Sequence, residues 1–266
     1  MTRVAVVTGA ARGIGAATVT GLAAAGWSVV ALDRCTDDPR LPYHLGTEQE
    51  LMAIVEHVRG LPRGNERVRP MIGDASSTED MTRVVALAEQ DFGGLDAVVA
   101  VAGVIAGGVP LWDMPADQQE AVLDANLKSV LVAARVGIPA LLRRPEPRAG
   151  RFVAVASAAA TRGLPLLAAY CAAKAGVTGL VRALAAELRG SGVTANAVSP
   201  GSTATPILDE SARLYGLESA EAFSSQQPIA RLIRSEEVAA TIMWLTDAAT
   251  DAVTGATIPV DGGLSL

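Results

Sequence analysis

Short apolar runs alternate with longer alanine-rich runs along the whole chain. The short runs are almost continuously apolar, which is typical of parallel strands covered by helices on both faces. Alternation of this kind predicts an α/β fold: a single Rossmann-like doubly wound domain over residues 1–266, with a seven-stranded parallel sheet. The predicted strands are 3–8, 28–33, 67–72, 95–102, 150–157, 193–199 and 256–260, and the predicted helices are 13–26, 47–59, 77–92, 116–143, 165–190 and 235–247.

Two segments are longer than ordinary connections in such a fold. Residues 34–47 form an insertion after the second strand, and residues 201–234 follow the sixth. Long loops in compact α/β proteins often carry function. We therefore expect the second segment to form a substrate loop.

The composition excludes several classes of function. The net charge is −6 and no basic run occurs, which argues against nucleic acid and anionic membranes as partners. The two cysteines form no Cys-x-x-Cys motif, so neither a disulfide framework nor a metal site is expected. The chain opens with a strand and a glycine loop rather than a signal peptide, and its most apolar region, 164–188, is interrupted by charges. We expect a cytoplasmic protein.

The first predicted strand is followed by TGAARGIG, with the spacing G-x-x-x-G-x-G. Glycines at such a turn let a ligand approach the backbone, and the helix N-terminus offers free N–H groups to a pyrophosphate. The alternative is a tight turn without a ligand. Because the motif lies between the first strand and a helix, we expect a dinucleotide to contact Gly9, Arg12, Gly13, Ile14 and Gly15.

An acid, Asp33, ends the second strand 18 residues after Gly15. A carboxylate there can accept hydrogen bonds from the adenosine ribose and would repel a 2′-phosphate, which favours NAD over NADP. The alternative is a solvated loop carboxylate. Two arginines, Arg12 and Arg34, could instead attract a phosphate, but the carboxylate is expected nearest to the 2′ position.

Two later strands end in residues that suit the same ligand. Asp74, followed by Ala75, comes after the third strand and could accept a hydrogen bond from the adenine amino group. The alternative for Asp74 is an acid at a helix N-terminus, where Ser76 or Ser77 would cap equally well. Gly103 follows the fourth strand, where a small residue lets the cofactor pass close.

Tyr170 and Lys174 lie four residues apart and therefore share one face of a helix. Ser157 ends the fifth strand, at the edge of the sheet where ligands bind in this fold class. A nearby ammonium favours the tyrosine phenolate, which can then remove an alcohol proton, while the serine hydroxyl steadies the substrate oxygen. The alternative is an ordinary helix with one snorkelling lysine and a half-buried tyrosine.

Taken together, these motifs resemble the short-chain dehydrogenase/reductase family over nearly the whole chain. The resemblance rests on TGAARGIG, Asp33, the Asp-Ala at 74–75, ANLKSV, Ser157, YCAAK and SPGSTATP. It implies a catalytic tetrad of Asn126, Ser157, Tyr170 and Lys174, in which the lysine also holds the nicotinamide ribose and the asparagine supports a relay water. It further implies that the turn with Pro200, Gly201, Thr203 and Thr205 holds the nicotinamide carboxamide.

The chain departs from the family pattern at one place. The usual Asn-Asn-Ala-Gly after the fourth strand is replaced by Val101-Ala102-Gly103, preceded by Ala100. The resemblance therefore implies a weakened structural hydrogen bond there, without loss of a catalytic group.

A narrower resemblance comes from RCTDDPRLPYHLGTEQELM at residues 34–52, which is similar to the mycofactocin-associated branch of the family. This branch implies a tightly bound NAD whose electrons pass to a peptide-derived redox carrier. Two hypotheses remain open for the insertion: a surface loop packed on its own helix, or a cover over the adenosine half of the site that slows cofactor release. The family also implies a homotetramer, and the apolar circumference of the helix at 165–190 places it at an interface.

The sequence thus predicts an NAD-dependent oxidoreductase that interconverts a small apolar secondary alcohol and a ketone. Two alternatives remain: a cofactor-binding regulatory or scaffold protein on the same fold, or an isomerase or dehydratase that uses the nicotinamide transiently. The predicted walls of the substrate pocket are Val104, Ile105, Leu164, Leu166, Ile207, Leu208 and Leu214.

Overall fold

The fold is a three-layer α/β sandwich, seen in a computed structural model that describes residues 2–62 and 67–266. Within these residues, all seven strands are parallel members of one sheet in the order β3-β2-β1-β4-β5-β6-β7. The strands are β1 Val4–Thr8, β2 Ser28–Asp33, β3 Val68–Ile72, β4 Ala97–Ala100, β5 Gly150–Val155, β6 Val193–Pro200 and β7 Thr257–Val260. The doubly wound Rossmann-like sheet predicted from the sequence is confirmed.

Helices cover both faces of this sheet, as the unbroken apolar strands require. On one face α3, α5 and α6 pack through residues such as Met81, Ala133 and Val177, and on the other α1, α2 and α8 pack through residues such as Val19 and Leu51. The helices are α1 Gly13–Ala24, α2 Glu48–Arg59, α3 Thr78–Phe92, α4 Ala116–Leu123, α5 Ser129–Leu142, α6 Ala168–Glu187, α7 Pro206–Leu214 and α8 Ser235–Thr246.

The helix predicted at 116–143 is wrong in one respect. It is interrupted by a π-turn at Asp124–Lys128, which separates α4 from α5. A π-turn widens the helix locally and often occurs at functional sites. Within the described residues, the stretch Ala116–Leu142 is the one helical segment with the length and mean hydropathy, 1.4, of a membrane span, and half of that window is buried inside the fold.

The segment 201–234 also contains a helix that the sequence analysis did not predict. This helix, α7, begins at Pro206, directly after Thr205. Proline at the first helical position is a common start signal, because its missing N–H has no partner there in any case. The segment 201–234 is therefore partly helical.

Candidate active site

A cavity of about 610 Å³ lies at the carboxyl ends of the strands. The strand order reverses between β1 and β4, and this switch point is where open α/β sheets bind ligands. Every residue that the sequence predicted for the catalytic and cofactor sites lines this cavity. They are Asn126, Ser157, Tyr170 and Lys174 of the predicted tetrad, and Gly9, Arg12, Gly13, Ile14, Gly15, Asp33, Asp74, Ala75, Gly103, Pro200, Gly201, Thr203 and Thr205 of the predicted cofactor site.

The glycine loop has the geometry of a dinucleotide cradle. A Cβ on Gly9 would lie 2.8 Å from the Cα of Ala102, and one on Gly15 would lie 1.9 Å from the carbonyl oxygen of Gly9. Larger residues would therefore force the loop open. Arg12 begins α1 without a capping hydrogen bond from its side chain, so the first turn can offer N–H groups to the cavity. A nicotinamide dinucleotide fits these residues.

The end of β2 carries a carboxylate that the backbone holds in place. Asp33 accepts hydrogen bonds from the N–H groups of Ala11 at 3.0 Å and Cys35 at 3.1 Å. The two arginines that could have favoured a phosphate are both engaged by the insertion. Arg34 pairs with Asp38 at 2.9 Å, and Arg12 donates to the carbonyl oxygen of His44 at 3.0 Å.

Asp74 faces the cavity with its side chain 40% exposed, and it accepts a hydrogen bond from the N–H of Ser76 at 2.7 Å. The cap of α3 is Ser77, whose hydroxyl accepts from the N–H of Asp80 at 3.2 Å. Asp74 does not cap this helix. Its second carboxylate oxygen lies 4.0 Å from Nε of Arg34, and both side chains line the cavity.

Ser157 and Tyr170 both line the cavity beside the end of β5. The Ser157 hydroxyl oxygen accepts from the N–H of Ala159 at 3.1 Å. Burial raises the pKa of Tyr170, and the nearby Ser157 hydroxyl opposes that rise. The serine and tyrosine thus face one cavity, as a shared role on one substrate oxygen requires.

Lys174 lies one helical turn beyond Tyr170 and is only 3% exposed. Its ammonium donates to the carbonyl oxygen of Val155 at 2.9 Å and lies 5.7 Å from the centre of the Tyr170 ring. Burial lowers the pKa of Lys174 to about 8. In the protein alone, burial raises the pKa of Tyr170, and the effect of this ammonium on the phenolate stays a prediction for the complex with the cofactor.

Asn126 is held by the π-turn at the side of the cavity. Its amide group donates to the carbonyl oxygens of Val104 and Val122, both at 2.8 Å, and its Oδ1 is buried with no partner among the described residues. A buried acceptor without a donor is costly and is usually satisfied by water or a ligand. This orphan oxygen is consistent with the relay water that the family resemblance implies.

Comparisons with known proteins agree with this geometry. A family described as enoyl-(acyl carrier protein) reductase matches residues 9–265. The short-chain reductase protein NovJ of Streptomyces niveus is 35% identical over 98% of this chain and 93% of its own length. The chain belongs to the short-chain dehydrogenase/reductase family.

Solved structures of this family superpose on nearly the whole chain. Carveol dehydrogenase from Mycobacterium avium, in complex with NAD, has a TM-score of 0.91 and 29% identity, over 98% of this chain and 97% of its own. A single-residue variant of actinorhodin polyketide ketoreductase, with NADPH, has a TM-score of 0.87 and 28% identity, over 99% and 97%. This short-chain dehydrogenase/reductase is an oxidoreductase, and solved structures similar to it contain either NAD or NADPH.

The loop after β4 departs from the family pattern but does not lack anchors. The hydroxyl oxygen of Thr8 accepts from the N–H groups of Val101 at 3.1 Å and Ala102 at 3.2 Å. The side-chain amide of Asn126 donates to the carbonyl oxygen of Val104, two residues beyond Ala102. The structure therefore shows where the hydrogen bonds of this loop go in the absence of the usual asparagines.

The insertion crosses the mouth of the site. Its Leu41 is buried with Val104, Val122 and Ala169, and its Tyr43 and Leu45 pack against the same cluster as Tyr170. Ion pairs connect the insertion to the π-turn. Arg40 contacts Asp38 of the insertion at 2.8 Å and Asp124 of the π-turn at 3.0 Å. Neither hypothesis describes the insertion fully. The insertion does not pack only on its own helix, and its contacts extend beyond the adenosine end of the site to the cluster that includes Tyr170.

The predicted substrate end of the cavity is mostly apolar, but two of the seven residues predicted for its wall lie elsewhere. Five of the seven predicted wall residues line it, namely Val104, Ile105, Leu164, Ile207 and Leu208. Leu214 instead lines a separate small cavity with Glu210 and Arg213, and Leu166 is 37% exposed, with a left-handed backbone (φ 64°) whose carbonyl oxygen accepts from Gly108. The wall also contains residues that the sequence did not predict, namely Arg162, Tyr215, Leu217, Phe223 and Leu264.

Two of these additional wall residues, Tyr215 and Phe223, could have been recognised from the sequence. Tyr215 and Phe223 are two aromatic residues within 201–234, in a chain that is only 3% aromatic. Their rings meet edge-on at 6.1 Å, and the Tyr215 hydroxyl donates to the carbonyl oxygen of Pro165 at 2.7 Å. Leu264 had no such signal, because only the folded chain brings it back beside Arg162, which donates to its carbonyl oxygen at 2.6 Å.

Proposed function

We propose that this enzyme interconverts a small apolar secondary alcohol and a ketone with NAD as its cofactor. The observation that carries the proposal is that Ser157, Tyr170 and the buried Lys174 line one cavity together with the glycine loop. When bound, NAD would accept the hydride from the alcohol carbon. The isomerase, dehydratase and scaffold alternatives have no observation of their own in their favour.

Each side chain has a role that its environment supports. Tyr170 removes the alcohol proton and returns it in the reverse direction. Ser157 donates a hydrogen bond to the same substrate oxygen and stabilises its developing charge. Lys174 holds the ribose hydroxyls and supplies positive charge to the phenolate, and Asn126 orients a water through its unpaired Oδ1.

The preference for NAD over NADP follows from the charges at the adenosine end. Asp33 places a carboxylate where the ribose 2′ position is expected, and a 2′-phosphate would be repelled there. Arg12 and Arg34 do not offset this charge freely, since each has a partner in the insertion. The NAD complex of carveol dehydrogenase supports this choice, whereas the NADPH complex of the ketoreductase shows that the family accommodates both.

The substrate class follows from the cavity wall. Aliphatic and aromatic side chains such as Ile207, Leu217 and Phe223 line the cavity that contains Tyr170, and Arg162 donates to the backbone of Leu264. Carveol dehydrogenase acts, by its name, on an apolar cyclic alcohol. We therefore propose a compact apolar alcohol rather than a carboxylate-bearing one.

We further propose that the insertion retains the cofactor, as expected for the mycofactocin-associated branch. The bridge from Arg40 to Asp124 and the burial of Leu41 support this proposal, because release would require these contacts to open. A retained cofactor would need a second redox carrier, for which the peptide-derived mycofactocin is the candidate. We also propose a cytoplasmic homotetramer whose interface includes α6.

The test is a panel of secondary alcohols followed by nicotinamide absorbance, with an artificial electron acceptor run in parallel. Protein purified without nucleotide is denatured and its released NAD(H) quantified. Alcohol-dependent reduction with NAD supports the proposal, and near-stoichiometric NAD(H) together with turnover only in the presence of the acceptor supports retention. A wild-type protein that reduces neither NAD nor the acceptor with any alcohol or ketone pair would overturn the proposed function.

A further inference from the structure

We propose that Tyr43 of the insertion is a positioning residue for hydride transfer, because it anchors the backbone of Ile105 in the wall of the cavity that also contains Tyr170. This inference rests on the proposed function. It gives the insertion a role in the chemical step, separate from its role in holding the cofactor.

A hydrogen bond connects the insertion to the wall. The N–H of Ile105 donates to the phenolic oxygen of Tyr43 at 2.9 Å. Ile105 is only 3% exposed and lines the cavity. A buried backbone N–H needs an acceptor, so the position of Ile105 depends on this oxygen.

The ring of Tyr43 makes a second connection. It packs with Leu45 against the apolar cluster that contains Val104 and Ala169, and Tyr170 packs against the same cluster. Burial raises the pKa of Tyr43, so its phenol stays neutral at physiological pH and acts as an acceptor rather than as a second base. One side chain of the insertion thus contacts the loop after β4 through its oxygen and the catalytic wall through its ring.

Beyond its contacts with Thr8, the loop after β4 is held at three further points. Asn126 donates to the carbonyl oxygen of Val104 at 2.8 Å, Tyr43 accepts from Ile105, and the N–H of Gly108 donates to the carbonyl oxygen of Leu166 at 3.1 Å. The middle anchor comes from the insertion alone. Its loss would let the wall shift between the two outer anchors, and a displacement near 1 Å at a reacting centre can cost about 100-fold in rate.

The discriminating variant is Tyr43→Phe, which removes the oxygen and keeps the ring. The matched control is His44→Ala, because the His44 side chain is 93% exposed and its polar partner is Asp37, while its backbone still accepts from Arg12. The readouts are the single-turnover rate of alcohol oxidation, its primary deuterium isotope effect, the melting temperature and the content of bound NAD(H). A purely structural role would lower the last two without changing the isotope effect.

We expect Tyr43→Phe to slow single turnover about tenfold, which corresponds to about 1.4 kcal/mol in the barrier, with a larger isotope effect and unchanged cofactor content. The His44→Ala variant should match the wild type. Hydrogen exchange provides a second measurement: the Ile105 amide should be protected in the wild type and exchange faster in Tyr43→Phe.

Three outcomes would overturn the inference. The first is a Tyr43→Phe rate within twofold of the wild type. The second is a slower rate explained by lost cofactor or misfolding, and the third is an Ile105 amide that is unprotected in the wild type. Each of these leaves the proposed function intact when the wild type is active. A wild type without turnover overturns the proposed function, and this inference with it.

Discussion

The ammonium of Lys174 is buried against the carbonyl oxygen of Val155, 2.9 Å away. Burial lowers the pKa of this lysine to about 8, so holding it charged costs stability. We expect Lys174→Met to raise the melting temperature while it abolishes turnover. The difference between the ordinary lysine pKa of 10.5 and the value of about 8 in the folded chain corresponds to a destabilisation of at most roughly 3 kcal/mol.

The pH dependence of that stability difference has a definite sign. Below pH 8 the lysine is protonated in both the folded and unfolded chain, so the full cost is present. Between about pH 8 and 10.5 the folded chain releases the proton first, and wild-type stability rises relative to the variant. Thermal melts of both proteins from about pH 6 to 10 check this, since they cover most of the pH range in which the lysine titrates. A stability difference that grows with pH would contradict it.

Tyr170→Phe should abolish turnover with little effect on folding or NAD binding, because only the ionisable oxygen is removed. Steady-state rates, circular dichroism and NAD titration of the variant test the three parts. A variant that keeps more than a tenth of the wild-type activity would contradict the role of Tyr170 as the base, because a tenfold loss corresponds to a barrier change of only about 1.4 kcal/mol.

Asp33→Asn should narrow the preference for NAD over NADP. Asparagine is preferred to alanine for this test, because the side chain of Asp33 also accepts hydrogen bonds from Ala11 and Cys35. We expect the ratio of kcat/KM values for the two cofactors to shift about tenfold toward NADP, from lost repulsion of the 2′-phosphate. If the wild type already prefers NADP, the assignment from Asp33 is wrong.

Arg40→Ala and Asp124→Ala should each accelerate cofactor release, and the double variant should release no faster than either single one. The two side chains are 29% and 33% exposed, so we expect a modest change of about fivefold. Exchange of bound NAD against labelled NAD measures the rate. Arg59→Ala, which removes an exposed ion pair with Glu56 on α2, is the control. Equal rates of NAD exchange in all variants would show that the ion pair between Arg40 and Asp124 does not retain the cofactor.

The outer face of α6 should form a subunit interface. A side chain at Gly179 would meet no atom within 4 Å, so Gly179→Arg leaves the subunit fold intact. We expect sedimentation at micromolar concentration to show a homo-oligomer for the wild type and a smaller species for this variant. Gln90→Arg, at an exposed position of α3, should leave the mass unchanged. A monomeric wild type would contradict the proposal.

Local sequence patterns predicted much of this site, because the residues concerned lie at fixed offsets from strand ends. Asp33 ends β2 and Ser157 follows β5, and parallel strands bring such positions to one edge of the sheet. Tyr170 and Lys174 lie one helical turn apart on the same face. The π-turn around Asn126 was not predicted, since its composition is that of an ordinary helix and its geometry arises from packing.

What the sequence by itself determined is therefore the doubly wound sheet and the set of residues at its carboxyl edge, both of which depend on periodicity and short spacings. Only the tertiary structure decided how the insertion uses its apolar side chains, how Arg12 and Arg34 are paired, and that burial raises the pKa of Tyr170. These properties depend on contacts between residues far apart in the chain. Burial and charge pairing are set by such contacts, and no local spacing encodes them.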